Sequence, residues 1–190
     1  METDRNEELK KLIQDCCRKN KKSQEMLYKR FFGYALNVAM IYTKQHDGAI
    51  EVVNDSFMKV FSDISNFNFS NTFKSWLRKI IINTAIDRFR KEHKHYYHKD
   101  SLSLCIADET VDVISKISAD DVLALLNKLS EIQKIIFVLY EIEGYNHEEI
   151  GERLHIPVSS SRVYLTRAKK KLRELYRIYF NTYDERFKQG

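Results

Sequence analysis

One proline and five glycines in 190 residues leave little material for tight turns. An all-β architecture needs many of them, so the chain reads as helices joined by polar connectors. The glycines (Gly33, Gly48, Gly144, Gly151, Gly190) fit neither a Walker A loop nor a dinucleotide fingerprint, which disfavours most nucleotide and cofactor enzymes. Three cysteines, two of them adjacent as Cys16 and Cys17, make no disulfide framework, and the adjacent pair reads as buried small hydrophobes. The longest apolar run is Ile135-Ile136-Phe137-Val138-Leu139-Tyr140, against the roughly 20 residues that a bilayer span requires. The polar start Met1-Glu2-Thr3-Asp4-Arg5 lacks the apolar stretch of a signal peptide, and without secretion the Asn54-Asp55-Ser56 and Asn68-Phe69-Ser70 patterns carry no glycosylation. The expectation is a soluble cytoplasmic protein with no membrane insertion of its own.

What is present is charge, and it is unevenly placed. The net charge is +5 with hydrophobic residues at 43%, enough for real cores. Residues 162–177 hold seven basic side chains against Glu174, and residues 88–99 hold five against Glu92. Between them, residues 108–121 hold five acids against Lys116. Two basic segments flanking an acidic one fit two polyanion-binding modules and a connector, with solvated helix faces as the plainer explanation.

Hydrophobic periodicity divides the chain. A helix over 6–19 carries Leu9, Ile13 and Cys16/Cys17 on one face, and a second over about 23–44 carries Leu27, Phe31, Ala35, Val38 and Tyr42. A third, capped by Asp47, has Ile50, Val53, Phe57, Val60/Phe61 and Ile64 on its apolar face and Glu51, Asn54, Asp55 and Lys59 opposite. The polar loop Ser65–Asn71 contains Phe67 and Phe69, which either fold back onto the core or line a site. A fourth helix over about 72–92 points Phe73, Trp76/Leu77, Ile80/Ile81 and Thr84 inward. Residues 6–92 thus form one helical domain, and 93–117, without periodicity, form a flexible linker. The pattern returns with Val122, Leu123, Leu126 and Leu129. Capping boxes follow at Ser130/Gln133 and Asn146/Glu149, with stops at Gly144 and at His155-Ile156-Pro157. A last helix, capped by Ser159 or Ser160, buries Leu165, Ala168, Leu172, Leu175/Tyr176 and Tyr179. The fold class is therefore all-α, with a second small domain over 118–180.

From Gly144 to Leu172 a short helix, a tight turn and a longer basic helix make a helix-turn-helix layout, in which the second helix enters a DNA major groove. Ser159, Ser160 and Ser161 supply a helix N-terminus whose N–H groups and hydroxyls can meet phosphates. Arg162, Thr166, Arg167 and Lys170 lie opposite Leu165, Ala168 and Leu172, so they can reach base edges and backbone while the apolar face packs.

The run Gly144-Tyr145-Asn146-His147-Glu148-Glu149-Ile150-Gly151-Glu152-Arg153-Leu154-His155-Ile156-Pro157, continuing to Leu165-Thr166-Arg167-Ala168, closely resembles region four of bacterial RNA polymerase sigma factors. Ser161 falls where that pattern usually has a small apolar residue. Residues 50–61 resemble region two-point-two, and Phe73-Lys74-Ser75-Trp76-Leu77 through Asp87-Arg88-Phe89-Arg90-Lys91 resembles regions two-point-three and two-point-four. With no room for regions one or three, the resemblance is to the compact extracytoplasmic-function group of the sigma-70 family. It implies a transcription initiation factor, not an enzyme, that binds core RNA polymerase through the beta-prime clamp helices and the beta flap, needs no cofactor, and acts on promoter DNA. It also implies control by an anti-sigma factor. Glu51, Asn54, Asp55 and Lys59 would dock on the clamp helices, with charge pairs setting register. Asn66, Phe67, Lys74, Trp76, Lys79, Asn83, Arg88 and Lys91 would hold the opened minus-ten element by stacking, edge hydrogen bonds and cations. For Trp76 plain core packing competes with that role. Ser159, Ser160, Arg162, Thr166, Arg167 and Lys170 would read the minus-thirty-five element.

Other chemistries fit less well. His93, His95, His98 and Cys105 have no compact zinc-ligand spacing, and Gly151 stands where an H-E-x-x-H motif beginning at His147 needs its second histidine. The competing functions are a stand-alone helix-turn-helix regulator of duplex DNA and a pure protein-interaction module.

Overall fold

A computed structural model describes residues 2–93 and 119–187, and side chains over 7–93 and 121–178. The chain divides into two compact units, 1–92 and 93–190. Among the described residues every regular element is a helix. The expected linker over 93–117 lies, apart from His93, outside the described residues, as do His95, His98, Cys105 and the side chain of Tyr179.

In the first unit, helix α1 (Glu2–Cys17) runs longer at its start than periodicity indicates, and it stops where Lys19 takes a left-handed conformation, φ +60°. Its end shows why adjacent cysteines cannot share one environment. Successive residues on a helix point about 100° apart. Cys16 is therefore buried, with burial first and then the neighbouring Cys17 and Asp15 pushing its thiol up to about 11, while Cys17 is exposed. Helix α2 (Lys21–Tyr42) starts two residues earlier than expected. The Asn20 carboxamide accepts from the Ser23 N–H at 3.1 Å, meeting one of the otherwise unsatisfied first-turn donors.

Helix α3 (His46–Asp63) begins after Gln45, so Asp47 is a first-turn residue rather than the cap, and its charge favours the positive end of the helix dipole. Its buried face is broader than one stripe, because α3 packs against both α2 and the fourth helix. Val52 joins Val53, Phe57 and Val60 in the core, whereas Ile50 is only half-buried. The hydroxyls of Ser56 and, on the next helix, Thr84 lie in this core and donate to the carbonyls of Val52 and Ile80 at 2.6 and 2.8 Å. Helix α4 (Phe73–Glu92) is capped by Thr72, whose Oγ1 accepts from the Ser75 N–H at 3.2 Å. It is buried through most of its circumference by Leu77, Ile81, Ile82, Ala85, Ile86 and Phe89, while Trp76 and Ile80 are half-buried.

In the second unit, α5 (Ala119–Leu126) leads to α6 (Glu131–Phe137), which widens into a π turn over Val138–Ile142. The reciprocal Ser130/Gln133 cap forms, and Gly144 with φ +76° ends the segment where the sequence places a stop. Leu126 and Leu129 are buried, but Val122 is 43% exposed and is not part of the core. Lys134 is buried instead, with its Nζ donating to Asn127 Oδ1 at 2.6 Å. Helices α7 (His147–Leu154) and α8 (Val158–Phe187) follow, joined by a turn in which His155 takes a left-handed φ of 55°. Leu165 and Ala168 are buried, whereas Leu172, Leu175 and Tyr176 are half-buried. At 1.5 Å per residue the 30 residues of α8 extend about 45 Å.

Candidate nucleic-acid and polymerase interfaces

The helix-turn-helix of the second unit is built around fully buried Ile150 and Leu154 on α7 and Ala168 on α8, with Leu165 6% exposed. Asn146 caps α7 from both directions: its Oδ1 accepts from the Glu149 N–H at 2.9 Å, and its own N–H donates to Glu149 Oε2 at 2.8 Å. Gly151 permits the close turn, since a Cβ there would lie 3.0 Å from the Ile156 carbonyl oxygen.

The last helix is not capped by Ser159 or Ser160. The Ser161 N–H bonds the Pro157 carbonyl at 3.2 Å, so Pro157 is the cap and both serines lie within the first turn. Proline suits this place because its missing N–H would have had no helical acceptor. The N–H groups of Val158, Ser159 and Ser160 then lack intrahelical acceptors and keep the anion-meeting character expected of this end.

On the outward stripe of α8, Arg162 has a side chain 64% exposed and lies 3.7 Å from Glu148, and Lys170 is exposed. The Thr166 hydroxyl donates to the Arg162 carbonyl at 3.0 Å, and Arg167 is half-buried. Ser159 is exposed and Ser160 half-buried.

Ser161 is fully buried, a placement that the stripe Ser161, Leu165, Ala168 indicates by its spacing. Its Oγ lies 2.9 Å from His147 Nδ1, and the His147 ring stacks on Tyr140 at 4.6 Å. Burial above all, and next the Arg162 charge, holds the His147 pKa below its usual value, with Lys169 adding to the shift and Glu148 opposing it. Neither His147 nor Tyr140 is among the site residues inferred from the sequence, and only the packing brings them to the start of α8.

In the first unit the loop before α4 sorts its two phenylalanines. Phe67 folds back and is 7% exposed, with its ring centroid 5.2 Å from Trp76, 5.7 Å from Phe73 and 5.1 Å from Phe69. Phe69 stays 47% exposed, with Lys10 Nζ 5.7 Å from its centroid. It is the open aromatic of the loop and stands outside the set inferred from the motifs. An open cavity of about 930 Å³ lies beside it, lined among others by Lys10, Arg30, Tyr34, Phe69, Asn71 and Lys74. Lys74 Nζ stands 5.5 Å over the Tyr34 ring. Along the same unit Asn66, Lys74, Lys79, Asn83 and Lys91 are exposed.

Arg88 is held between Glu92, at 2.8 Å, and Glu51 on α3. Lys59 on α3 likewise reaches Asp87 on α4 at 3.3 Å, and Asn54 Oδ1 accepts from Tyr28 Oη at 2.9 Å. The sequence-derived polymerase-facing set is thus largely engaged within the unit. Among the described residues Asp55 has no ion pair, and it is exposed one turn before Met58, which is 71% exposed.

A family model for sigma-70 region 2 matches residues 27–95, and one for sigma-70 region 4 matches residues 119–172. The sigma factor SigV of Bacillus subtilis is 31% identical over 141 residues, covering 72% of this chain and 80% of the relative. The chain belongs to the sigma-70 family, in its extracytoplasmic-function group. The extracytoplasmic-function sigma factor SigW of the same organism is 29% identical to this sigma factor over 144 residues, covering 68% of this chain and 75% of the relative. A solved complex of the Bartonella quintana sigma factor RpoE with the anti-sigma factor NepR has a TM-score of 0.48 and 20% identity, over 81% of this chain and 96% of that one. Among the described residues of this sigma factor no helix is long and apolar enough to cross a membrane, and no group of three His, Cys, Asp or Glu side chains is arranged to hold a metal ion.

Proposed function

We propose that this sigma factor carries out initiation by dividing the work between its two units, with α3 docking on core RNA polymerase, the Ser65–Asn71 loop and α4 holding the opened minus-ten element, and α8 reading the minus-thirty-five element. The observation that carries the reading is the order of two matched regions in one chain, region 2 over 27–95 and then region 4 over 119–172. The protein is a transcription initiation factor that directs RNA polymerase to promoters, and the comparisons lend no support to a stand-alone regulator.

Within this reading Asp55 is the charge that α3 offers to the clamp helices, with Met58 as its apolar neighbour. Desolvating an exposed apolar side chain beside a charge that sets register is how such helix faces dock. Lys74, Lys79 and Lys91 track the phosphates of the opened strand, and Phe69 offers a face on which a displaced base can stack. Arg162 and Lys170 reach the duplex from α8, and pairing with DNA would replace the weak exposed contact of Arg162 with Glu148. An anti-sigma factor is the expected regulator, and it would compete with core polymerase for these same surfaces.

Co-elution with sigma-free core RNA polymerase tests the assignment. A stoichiometric complex is expected, lost in a variant carrying both Asn54→Ala and Asp55→Ala. Promoter-directed transcription by the reconstituted holoenzyme should fall with Arg162→Ala or Lys170→Ala while the complex with core persists. Absence of any complex, together with tight salt-sensitive binding of duplex by the chain alone, would overturn the proposal.

A further inference from the structure

The hydrogen bond between His147 and Ser161 joins the first turn of α7 to the first turn of α8, across 14 residues of sequence and at 2.9 Å. The buried hydroxyls of Ser56 and Thr84 turn back on their own helices, to the carbonyls of Val52 and Ile80. Ser161, fully buried, instead takes its partner from another helix. The partner imidazole is held in orientation from two sides. The Asn146/Glu149 cap holds the backbone of its turn, and Tyr140 stacks against the ring with an interplanar angle of 28°. Tyr140 is steadied in turn by Lys169, whose Nζ lies 5.9 Å from the ring centroid and 2.9 Å from Glu141.

Ser161 stands between Ser160 and Arg162, two of the side chains that α8 offers to DNA. A second tether between the same turns, Glu148 with Arg162 at 3.7 Å, is exposed and would be given up when Arg162 meets a phosphate or a base. The His147–Ser161 bond is part-buried, with its Ser161 end fully enclosed, and it involves no DNA-facing charge that would have to be released. Hydrogen bonds weaken steeply as their angle closes, whereas an apolar contact tolerates sliding. A polar pair at this joint therefore sets the angle and register of the recognition helix more strictly than the small apolar residue usual in the family pattern.

We propose that His147 and Ser161 are a positioning pair for minus-thirty-five recognition, fixing the first turn of α8 so that the protein discriminates sequence, and contributing little to phosphate affinity. This rests on the assignment of α8 to the minus-thirty-five element.

The test uses the full chain in holoenzyme with core polymerase. The probes are a promoter duplex selected by that holoenzyme from a library randomised at the minus-thirty-five element, and the same duplex with that element scrambled. Ser161→Ala and His147→Phe should each lower the ratio of affinities for selected over scrambled duplex by about tenfold, mid-range for coupling through one direct contact. The slope of log affinity against log salt should stay unchanged, because no phosphate contact is removed. His147→Asn, which keeps a polar atom near the Nδ1 position, should retain most of the ratio. The double variant should lose no more than either single one. The ratio does not depend on the fraction of active protein, so simple loss of folding leaves it unmoved.

An unchanged ratio in both single variants, losses that add in the double variant, or a salt slope that falls with His147→Phe would each overturn the proposal. Arg162→Ala and Lys170→Ala separate this from failure of the underlying assignment. If they leave the selected duplex bound as before, α8 is not the reading helix. If they weaken binding while the His147 and Ser161 variants keep the ratio, only the positioning role falls.

Discussion

Replacing Leu154 by alanine should unfold the helix-turn-helix unit and leave the other unit standing. Leu154 ends α7 with its side chain fully buried, and α7 packs against α8. Truncating a leucine in such a place costs about 2.7–5 kcal/mol, the transfer of the lost carbons plus the cavity they leave. A unit of about 70 residues has a total stability of roughly 3–10 kcal/mol, so the substitution removes between a quarter and all of it. For a domain this small each kcal/mol moves the melting temperature by about 4–8 °C. The assay exploits the single tryptophan. Trp76 lies in the first unit, packed 5.2 Å from Phe67 and 5.8 Å from Phe73, so its fluorescence reports that unit. Far-UV circular dichroism reports the helices of both. In a urea titration the Leu154→Ala protein should lose part of its dichroism early, while the Trp76 transition keeps its midpoint. Co-elution with core polymerase should persist and promoter binding should fail. If the Trp76 midpoint moves with the dichroism, the two units unfold as one and the reasoning is refuted. If no early phase appears, the core assigned to Leu154 is wrong.

Two further outcomes separate packing from function. Phe67→Ala should destabilise the first unit by about 3–5 kcal/mol, read from the Trp76 transition. Phe69→Ala should change stability by no more than about 0.5 kcal/mol, yet reduce promoter opening measured by permanganate reactivity of unpaired thymines. Equal stability losses for the two would contradict the burial of one ring and the exposure of the other. On pH, the folded protein holds His147 below its usual value of about 6.5, so the unfolded chain takes up that proton first as acid is added. Its contribution is therefore complete above about pH 6.5 and lost progressively below it. The melting temperature of the second unit should drop between about pH 7 and pH 5, with a shallower drop in His147→Asn. An identical slope in that variant would assign the pH dependence to other groups.

Periodicity placed the helices because a buried stripe repeats every 3.6 residues, and the capping boxes at Ser130 and Asn146 could be read from side chains that bond within four residues of themselves. Helix starts differ from the sequence expectation at Asp47 and at Ser159/Ser160, where backbone geometry decides which residue stands outside the first turn. The basic stripe of α8 was visible as a local pattern of charge and spacing. Its anchoring was not, because Ser161 meets His147 only when α8 packs on α7, and Tyr140 reaches the same ring from the π turn over Val138–Ile142.

The same division holds in the first unit. Sequence alone determined that this is a helical protein, that its two basic segments flank an acidic one, and that its motifs are those of a sigma factor, since each of these properties lies in local composition and order. Tertiary structure decided that Phe67 is core and Phe69 is surface, although they sit two residues apart in the same polar loop. It also decided that Glu51 and Lys59 spend their charges on Arg88 and Asp87 of α4 and leave Asp55 open. The physical reason is that burial and charge pairing are set by which helices meet, and no single segment of the chain carries that information.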